Sequence, residues 1–310
     1  MKHLINGQIY SKILYIFKEV WRYFMNLYQE TKFIMNKFNI TANKSYGQNF
    51  LTDEYIVNSI IDNSSITKED LVIEIGPGLG TLTKYLIDAA GHTISVELDP
   101  KMIEVLTERF SLYDNFSLLH NDILKVDLNT LIENTLKEKN LKRAKVVANL
   151  PYYITTPIIM KLLEEKPNLD SITVMVQKEV AERLSAVPGE ANTGAITYTI
   201  WYYSEPEIIL NVPKESFVPS PKVDSAVLKL NLLASPRVTL KNEEHFFKVI
   251  KAGFMQKRKT LLNSLSNSNI GSKDQLKKML LDLGLDPKVR AEALSLENFK
   301  DISDYLMENK

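Results

Sequence analysis

The chain has 310 residues, a length that allows one large domain or a large domain and a small one. Its 38 Lys and Arg residues equal its 38 Asp and Glu residues, so the formal net charge is zero. This argues against a wholly basic nucleic-acid-binding surface but allows a local basic patch. With 45% apolar and 25% charged residues, the composition is that of a globular protein and excludes a disordered or collagen-like chain.

Cysteine is absent, which excludes disulfides, thiol nucleophiles and cysteine-bound zinc and fits a reducing compartment. The four histidines show no metal-ligand spacing, so we predict no metal site. The sequence contains no uninterrupted run of about 18 apolar residues, so we predict no membrane-spanning helix. These features fit a cytoplasmic protein with no membrane partner, and we also expect a monomer.

Residues 1–35 are predicted to form an N-terminal extension. Apolar side chains such as Ile13, Phe17, Val20 and Phe24 recur at helical spacing, which favours an amphipathic helix over membrane attachment or a signal peptide. Two hypotheses fit residues 1–24. Either the native chain begins at or near Met25 and these residues are upstream sequence, or they form a helix that packs on the body.

From about residue 36, short β-rich runs alternate with helical runs. Strands are predicted over 71–75, 93–96, 116–119, 145–148 and 172–176, and helices over 81–90, 100–110 and 178–185. Strands that alternate with helices of about ten residues indicate βαβ units and a mainly parallel sheet. The sequence therefore predicts an α/β, doubly wound, Rossmann-like domain over 36–235.

A change of pattern marks a second domain. Alternating leucines predict a half-buried strand over 222–233, and 234–237 is typical of a linker. Beyond it the pattern is helical, with helices expected over 273–283 and 299–307. We therefore predict a small helical domain over 236–310.

The first candidate site is Glu74-Ile-Gly-Pro-Gly-Leu-Gly80, which follows the first strand of the alternating region and opens a helix. Glycine at Gly76 lets the backbone turn tightly and approach a ligand. A plain turn between a strand and a helix also favours glycine, but we prefer cofactor binding. The spacing is G-x-G-x-G, whereas G-x-G-x-x-G binds a pyrophosphate, so the motif points to a nucleoside cofactor without a phosphate bridge.

Acidic residues follow the next two strands. Glu97 ends the second strand, where a carboxylate can accept hydrogen bonds from ribose hydroxyls. Asp122 follows the third strand and can accept a hydrogen bond from an adenine amino group. Each acid, taken alone, is explained equally well as a solvated side chain at the end of a strand that binds no ligand. Together with the glycine motif, they predict ligand groups at one edge of the sheet.

The most informative motif is Asn149-Leu-Pro-Tyr-Tyr153, directly after the fourth strand. The exocyclic amine of adenine is a poor nucleophile, because its lone pair is delocalised into the ring, so it needs hydrogen-bond acceptors rather than a strong base. The side-chain oxygen of Asn149 and the carbonyl of Leu150 can accept its two N–H groups. Pro151 stiffens the backbone and Tyr152 can stack on the base. The structural alternative is a turn capped by Asn149 with packed aromatic residues.

These motifs, in this order, resemble the KsgA/RsmA family of ribosomal RNA adenine dimethyltransferases, relatives of the Erm resistance methyltransferases. The resemblance extends from about residue 36 to the end and rests on KSYGQNFL (44–51), EIGPGLG (74–80), VELD (96–99), NLPYY (149–153), MVQKEVAERL (175–184) and FVPSPKVDS (217–225). It implies an S-adenosyl-L-methionine-dependent methyltransferase domain followed by a helical domain. It also implies that the protein dimethylates N6 of two adjacent adenosines near the 3′ end of 16S rRNA in the small ribosomal subunit. This reaction would give it a role in ribosome biogenesis.

The resemblance also implies roles for individual residues. Those that match cofactor-binding positions are Asn49, Leu51, Gly76, Glu97, Asp122 and Asn149. Asn149, Leu150 and Tyr152 match the methyl-acceptor site, and Phe217 is expected to cover the other face of the adenine. The family pattern is not matched over 188–197, which lacks an expected aromatic–glycine pairing, or over 1–24.

A basic cluster lies in the helical region. Residues 241–260 contain six Lys or Arg residues and two Glu residues. Phosphate contacts supply sequence-independent RNA affinity, although a solvated helix face explains such a run equally well. The resemblance favours RNA, because the family carries a similar Gln-Lys-Arg-Lys-Thr-Leu stretch. We therefore predict that Lys257, Arg258 and Lys259 bind RNA.

Three other functions fit parts of the sequence. An Erm-like enzyme that methylates 23S rRNA shares the cofactor edge and the acceptor motif, but the QNFL, NLPYY and PKVDS segments favour the KsgA side. A non-catalytic RNA-binding ribosome assembly factor is disfavoured by the intact Asn149 and glycine motif. A small-molecule methyltransferase is disfavoured by the basic helical domain.

Overall fold

The computed structural model describes residues 25–42 and 47–309. The predictions for residues 1–24 and the first residues of the 44–51 motif lie outside this part of the chain. Within the described residues, no helix is both long enough and apolar enough to cross a bilayer.

The structure alternates strands and helices up to about residue 185, as expected. The strands are β1 (Phe50–Leu51), β2 (Asp70–Ile75), β3 (His92–Glu97), β4 (Phe116–His120), β5 (Arg143–Asn149), β6 (Ser171–Gln177), β7 (Ser204–Val212), β8 (Phe217–Val218) and β9 (Ser225–Leu232). The α-helices are α1 (Leu27–Lys37), α2 (Glu54–Ser64), α3 (Thr81–Ala89), α4 (Pro100–Phe110), α5 (Leu128–Lys139), α6 (Thr155–Glu164), α7 (Lys178–Ser185), α8 (Ala195–Tyr203), α9 (Glu243–Phe254), α10 (Leu261–Asn267), α11 (Lys273–Asp282) and α12 (Leu296–Glu308).

A seven-stranded sheet in the order β4-β3-β2-β5-β6-β9-β7 forms the centre of the α/β part of the chain. The five strands from β4 to β6 are parallel, whereas β9 and β7 are antiparallel to their neighbours. The predicted α/β class and Rossmann-like architecture are confirmed. Because β2, β3 and β5 run in the same direction, their carboxyl ends meet at one edge of the sheet.

The sequence analysis did not identify α8 or β7. Helix α8 reads AITYTIWYY, and such β-branched and aromatic residues have a high strand propensity that tertiary burial here overrides. Strand β7 contains Pro206 and a bulge between Ile208 and Leu210, features tolerated at the sheet edge that it occupies. The two-residue strands β1 and β8 pair with each other and are too short to show a period.

The hydrophobic clusters show how the segments pack. Ile34 of α1 is buried in a cluster with Phe110, so this part of the predicted extension packs on the α/β domain. In the C-terminal helical region, Phe246 and Phe299 form a separate hydrophobic cluster that also includes Tyr198 of α8. The Tyr198 hydroxyl donates a hydrogen bond to the carbonyl of Leu294 at 2.6 Å. The helix that precedes β7 therefore supplies part of the C-terminal core.

Gly80, the last glycine of the motif, is required by both conformation and space. Its φ is +79°, and a Cβ there would lie 2.4 Å from Cε2 of Phe110. We expect Gly80→Ala to lower the free energy of unfolding by about 2–5 kcal/mol, since left-handed strain costs about 1–2 kcal/mol and overpacking about 1–3 kcal/mol. Urea unfolding measures this loss.

The matched control is Gly284→Ala. Gly284 also has a positive φ, +70°, but nothing lies within 4 Å of an added Cβ. The control therefore isolates the conformational cost, and equal losses for the two variants would contradict the packing argument for Gly80.

Candidate active site

One cavity opens where β2, β3 and β5 end. It is lined by every residue predicted to bind the cofactor, namely Asn49, Leu51, Gly76, Glu97, Asp122 and Asn149. Leu150 and Tyr152 of the predicted acceptor site line the same cavity. The shared strand direction therefore brings together Gly76, Glu97 and Asn149, whereas Asn49 and Leu51 come from the separate β1–β8 pair.

The glycine motif forms the turn between β2 and α3. Gly76, Gly78 and Gly80 all have left-handed φ values, between +57° and +79°. The Gly76 N–H donates to the carbonyl of Val96 at 2.9 Å, and the Gly80 N–H donates to that of Pro77 at 2.9 Å. A Cβ on Gly76 would meet only the ring of Pro151, at 3.7 Å. Conformation therefore selects glycine at Gly76, and the space above its backbone remains open.

The carboxylate of Glu97 holds the surrounding backbone in place. One oxygen accepts from the N–H of Gly78 at 3.1 Å, and the other accepts from the N–H groups of Leu98 and Asp99 at 2.8 Å each. Burial raises the pKa of Glu97, while these three hydrogen bonds oppose the rise. A carboxylate has about four acceptor positions, so at least one remains for a ligand hydroxyl.

The predicted adenine-binding region has polar and apolar parts. Asp122 accepts a hydrogen bond from the N–H of Leu124 at 3.0 Å and thereby begins a short 3₁₀ helix, Ile123–Lys125. Ile123 and the half-exposed Leu98 also line the cavity. Sequence reasoning missed these two apolar walls, although each is adjacent to an acid that it identified.

Asn149 ends β5 with its amide group in a defined orientation. Its Nδ2 donates to the carbonyl of Asn49 at 3.4 Å, so Oδ1 is the oxygen that can accept from a substrate amine. The hydroxyl of Tyr152 is hydrogen-bonded to Oγ of Ser225 at 2.7 Å, and burial raises the pKa of this phenol. Tyr152 is therefore suited to stacking and not to acting as a base.

Phe217 is placed differently from the expectation. Only 3% of Phe217 is exposed, and it packs in a hydrophobic cluster with Leu51, Met175 and Val227. It is not among the residues that line the cavity. Pairing of β8 with β1 holds Phe217 in the core in this arrangement, and its role at the face of the adenine stays a prediction.

The predicted RNA-binding cluster lies just after α9. Lys257, Arg258 and Lys259 are all exposed, and none of the three forms an ion pair with another described residue. In contrast, Lys241 and Lys251 of the same run are ion-paired. Together with the exposed Lys248, which also has no ion pair among the described residues, the three residues provide charge that is available for a polyanion.

Glu74 was not identified as a site residue by sequence reasoning. It lines the cavity with 1% exposure and accepts hydrogen bonds from the hydroxyls of Thr83 at 2.7 Å and Ser95 at 2.6 Å. Burial raises the pKa of Glu74 to about 7. The signal that identifies it is an acid inside the otherwise apolar run Leu71-Val-Ile-Glu-Ile75.

A buried ion pair supports the glycine motif from outside the cavity. Arg109 on α4 pairs with Glu30 on α1 at 2.6 Å, and the two side chains are 7% and 9% exposed. The same guanidinium donates to the carbonyl of Leu79 in the glycine motif. Helix α1 is therefore connected to the cofactor loop through Arg109.

Comparison with known proteins decides the family. The model of the ribosomal RNA adenine dimethylase family matches residues 39–308. The chain belongs to this family. It is 49% identical over 274 residues to the Ribosomal RNA small subunit methyltransferase A of Clostridium botulinum (strain Langeland), covering 88% of this chain and 97% of that protein. The protein of the same name from Clostridium acetobutylicum is 44% identical with the same coverage.

Two solved structures are similar in fold. A dimethyladenosine transferase from Plasmodium falciparum is 28% identical with a TM-score of 0.67, over 82% of this chain and 95% of that one. The 23S rRNA methyltransferase ErmE is 25% identical with a TM-score of 0.64, over 84% of this chain and 100% of that one. The α/β domain is thus that of an adenine methyltransferase acting on ribosomal RNA.

S-adenosyl-L-methionine is the methyl donor of this dimethylase family, and the cavity fits it. The open space above Gly76 admits a ligand against the backbone. Glu97 would hold the ribose hydroxyls and Asp122 the adenine amine, with Leu98 and Ile123 as apolar walls for the base.

Glu97→Ala is expected to weaken binding of S-adenosyl-L-methionine by about 10- to 100-fold, because a hydrogen bond to a charged group contributes about 1.5–3 kcal/mol. Isothermal titration calorimetry measures the affinity. Asp114→Ala removes an exposed acid and serves as the control. An affinity equal to that of the control variant would show that Glu97 only holds the backbone.

Glu74→Gln is expected to flatten the pH dependence of stability. The folded-state pKa of Glu74, about 7, lies above the ordinary value of 4.5. The contribution of the protonated Glu74 to the free energy of unfolding is therefore complete below pH 4.5 and is lost as the pH rises to about 7. The slope from one proton is at most about 1.4 kcal/mol per pH unit. Urea unfolding at several pH values measures it, and identical profiles for both proteins would contradict a raised pKa.

Proposed function

We propose that this family member dimethylates N6 of two adjacent adenosines near the 3′ end of 16S rRNA in the small ribosomal subunit, as a cytoplasmic monomer that acts in ribosome biogenesis. The small-subunit assignment is supported by the 44–49% identity to proteins named Ribosomal RNA small subunit methyltransferase A, over 97% of their length. The observation that supports the chemistry is the position of the Asn149 side-chain amide. It donates a hydrogen bond to the carbonyl of Asn49 and lines the cavity that Glu97 also lines.

Methyl transfer to an adenine amine requires positioning more than acid–base catalysis. The Oδ1 atom of Asn149 and the carbonyl of Leu150 accept the two N–H groups and favour a pyramidal nitrogen with an available lone pair. S-adenosyl-L-methionine, when bound, supplies a methyl group on a positively charged sulfur. For the second transfer only one N–H remains, so one of the two acceptors loses its partner.

The target adenine must leave its stack to reach these acceptors, because a paired or stacked base cannot enter a cavity at the sheet edge. Tyr152 is available to stack on the flipped base, since its hydroxyl is fixed by Ser225. Stacking on an aromatic side chain contributes about 1–3 kcal/mol for each base. The residues from 149 to 152 therefore combine base capture with amine orientation.

A second candidate function is Erm-like methylation of 23S rRNA. The TM-score to ErmE, 0.64, is close to the 0.67 for the dimethyladenosine transferase, so the fold alone favours neither substrate. The sequence relatives favour the small subunit. The deciding experiment incubates the protein with methyl donor and unmethylated 30S or 50S subunits, followed by mass spectrometry of nucleosides. N6,N6-dimethyladenosine in 16S rRNA is expected, and methylation confined to 23S rRNA would replace the proposal with the Erm-like function.

Asn149→Ala is expected to lower kcat by about 100- to 1,000-fold at saturating methyl donor, because it removes a preorganised acceptor. A single-turnover methylation assay measures the rate. Asn63→Ala is the control, since the Asn63 side chain is exposed and bonds only within its own helix. A variant with more than half of the wild-type rate would remove Asn149 from the acceptor site.

Neutralising Lys257, Arg258 and Lys259 together is expected to weaken RNA binding and to reduce its salt dependence. The slope of log K against log salt concentration should fall by about 0.9 or less for each phosphate that the variant no longer neutralises. Filter binding at several salt concentrations measures the slope. The control neutralises Lys273, Lys277 and Lys278, which are exposed on α11 of the same domain. An equal slope for both triple variants would identify the cluster as a solvated surface.

A further inference from the structure

The segment from Gly47 to Leu51 forms one wall of the cavity, and all five of its residues line it. Hydrogen bonds hold the C-terminal end of this segment. Strand β1 pairs with β8, and the next residue, Thr52, donates from its N–H and from its hydroxyl to the carbonyl of Ser216, at 2.8 and 3.0 Å. Residues 47–49 precede this strand pair, so their position depends on other contacts.

Gln48 supplies such a contact by binding Asp99. Its Nε2 donates to Oδ2 of Asp99 at 2.8 Å, across 51 positions of the chain. Asp99 is 6% exposed and is itself fixed, because its N–H donates to Glu97 at 2.8 Å and its Oδ1 accepts from the N–H of Lys101 at 2.9 Å. Hydrogen bonds to a carboxylate are stronger than those between neutral groups. Gln48 therefore joins the segment to a firmly held acceptor beside Glu97.

Asn49, the next residue, connects this segment to the acceptor amide. The Nδ2 atom of Asn149 donates to the carbonyl of Asn49 at 3.4 Å. This distance is longer than the usual range of about 2.7–3.2 Å, so a small shift of the segment is enough to break the contact. The terminal torsion of an asparagine side chain is broad and roughly two-fold, so without this partner the amide can rotate and its oxygen can turn away from the cavity.

The consequence for catalysis rests on the proposed function, in which Oδ1 of Asn149 accepts from the adenine amine. Such an acceptor helps only while it is preorganised. We propose that Gln48 and Asp99 are positioning residues for the acceptor amide of Asn149. Their hydrogen bond holds the carbonyl of Asn49 in the place where it keeps Oδ1 of the amide turned towards the substrate. Neither side chain takes part in the transfer itself.

The first test is single-turnover methylation of unmethylated 30S subunits at saturating S-adenosyl-L-methionine. For Gln48→Ala we expect the rate to fall about 10- to 100-fold, up to the loss that a misplacement of about 1 Å causes. The matched control is Gln275→Ala, which removes a glutamine hydrogen bond in the capping box of α11, outside the cavity. The control is expected to keep the wild-type rate, and equal rates for the two variants would overturn the positioning role.

Calorimetry separates this role from cofactor binding. The affinity of Gln48→Ala for S-adenosyl-L-methionine is expected to stay within about fivefold of the wild-type value, because an interaction that acts on the transferred group affects the rate more than ground-state binding. A loss of affinity as large as the loss of rate would show that Gln48 holds the cofactor and would overturn the proposal.

A second test asks whether Gln48 acts through Asn149. In an Asn149→Ala background, adding Gln48→Ala is expected to change the rate less than about twofold, since residues that act as a unit are not additive. The full loss recurring in this background would overturn the positioning role. A wild-type protein that leaves 16S rRNA unmethylated would instead contradict the proposed function, and this inference with it.

A third test reverses the direction of the hydrogen bond. Gln48→Glu sets a second carboxylate against Asp99, so we expect a loss of rate at least as large as that of Gln48→Ala. Adding Asp99→Asn restores the contact, because the introduced asparagine caps α4 with its oxygen and donates from its nitrogen to the introduced glutamate. The double variant is expected to be about tenfold faster than Gln48→Glu, a coupling typical of directly bonded residues. A double variant as slow as Gln48→Glu would overturn the proposal.

Discussion

The active site depends on the carboxylate of Glu97, which is hydrogen-bonded to backbone N–H groups of two separate segments. Gly78 belongs to the glycine motif after β2, whereas Leu98 and Asp99 belong to the turn after β3. One side chain thus fixes the spacing between the two loops that surround the cofactor cavity. Because this carboxylate is 8% exposed, its hydrogen bonds lie in a medium of low dielectric constant and are stronger than at a solvated surface.

Other contacts hold the glycine motif against α4. Gly80 fits where a side chain would collide with Phe110, and the neighbouring Arg109 donates to the carbonyl of Leu79. Arg109 is in turn paired with Glu30 of α1 at 2.6 Å. Removing one partner of such a buried pair costs more than the pair contributes, because the remaining charge is left without compensation. The support of the cofactor loop therefore extends into a helix that precedes the region matched by the family model.

The sequence predicted those parts of the site that follow from strand direction. Gly76, Glu97 and Asn149 each follow a parallel strand, so their convergence was deducible from the order of the elements. The burial of Phe217 was not deducible, because it depends on the pairing of two-residue strands 166 positions apart along the chain. The role of Glu30 was equally hidden, since a single acid on a helix surface carries no sign that an arginine from α4 will cover it.

The acceptor motif crosses from the interior to the surface within five residues. Leu150 is 1% exposed and Tyr153 is 58% exposed, so the carbonyl proposed to orient the amine belongs to a buried residue and the motif ends at the protein surface. The basic cluster follows α9, and Glu243 at the start of this helix accepts from Lys166 at 2.7 Å and from Tyr203 at 2.5 Å. Burial and the nearby carboxylate raise the pKa of Tyr203, so its hydroxyl stays a donor across the neutral range. This contact joins α9 to α8 and to the segment after α6, so polar contacts as well as the apolar cluster around Phe246 and Tyr202 hold the C-terminal helices against the α/β part of the chain.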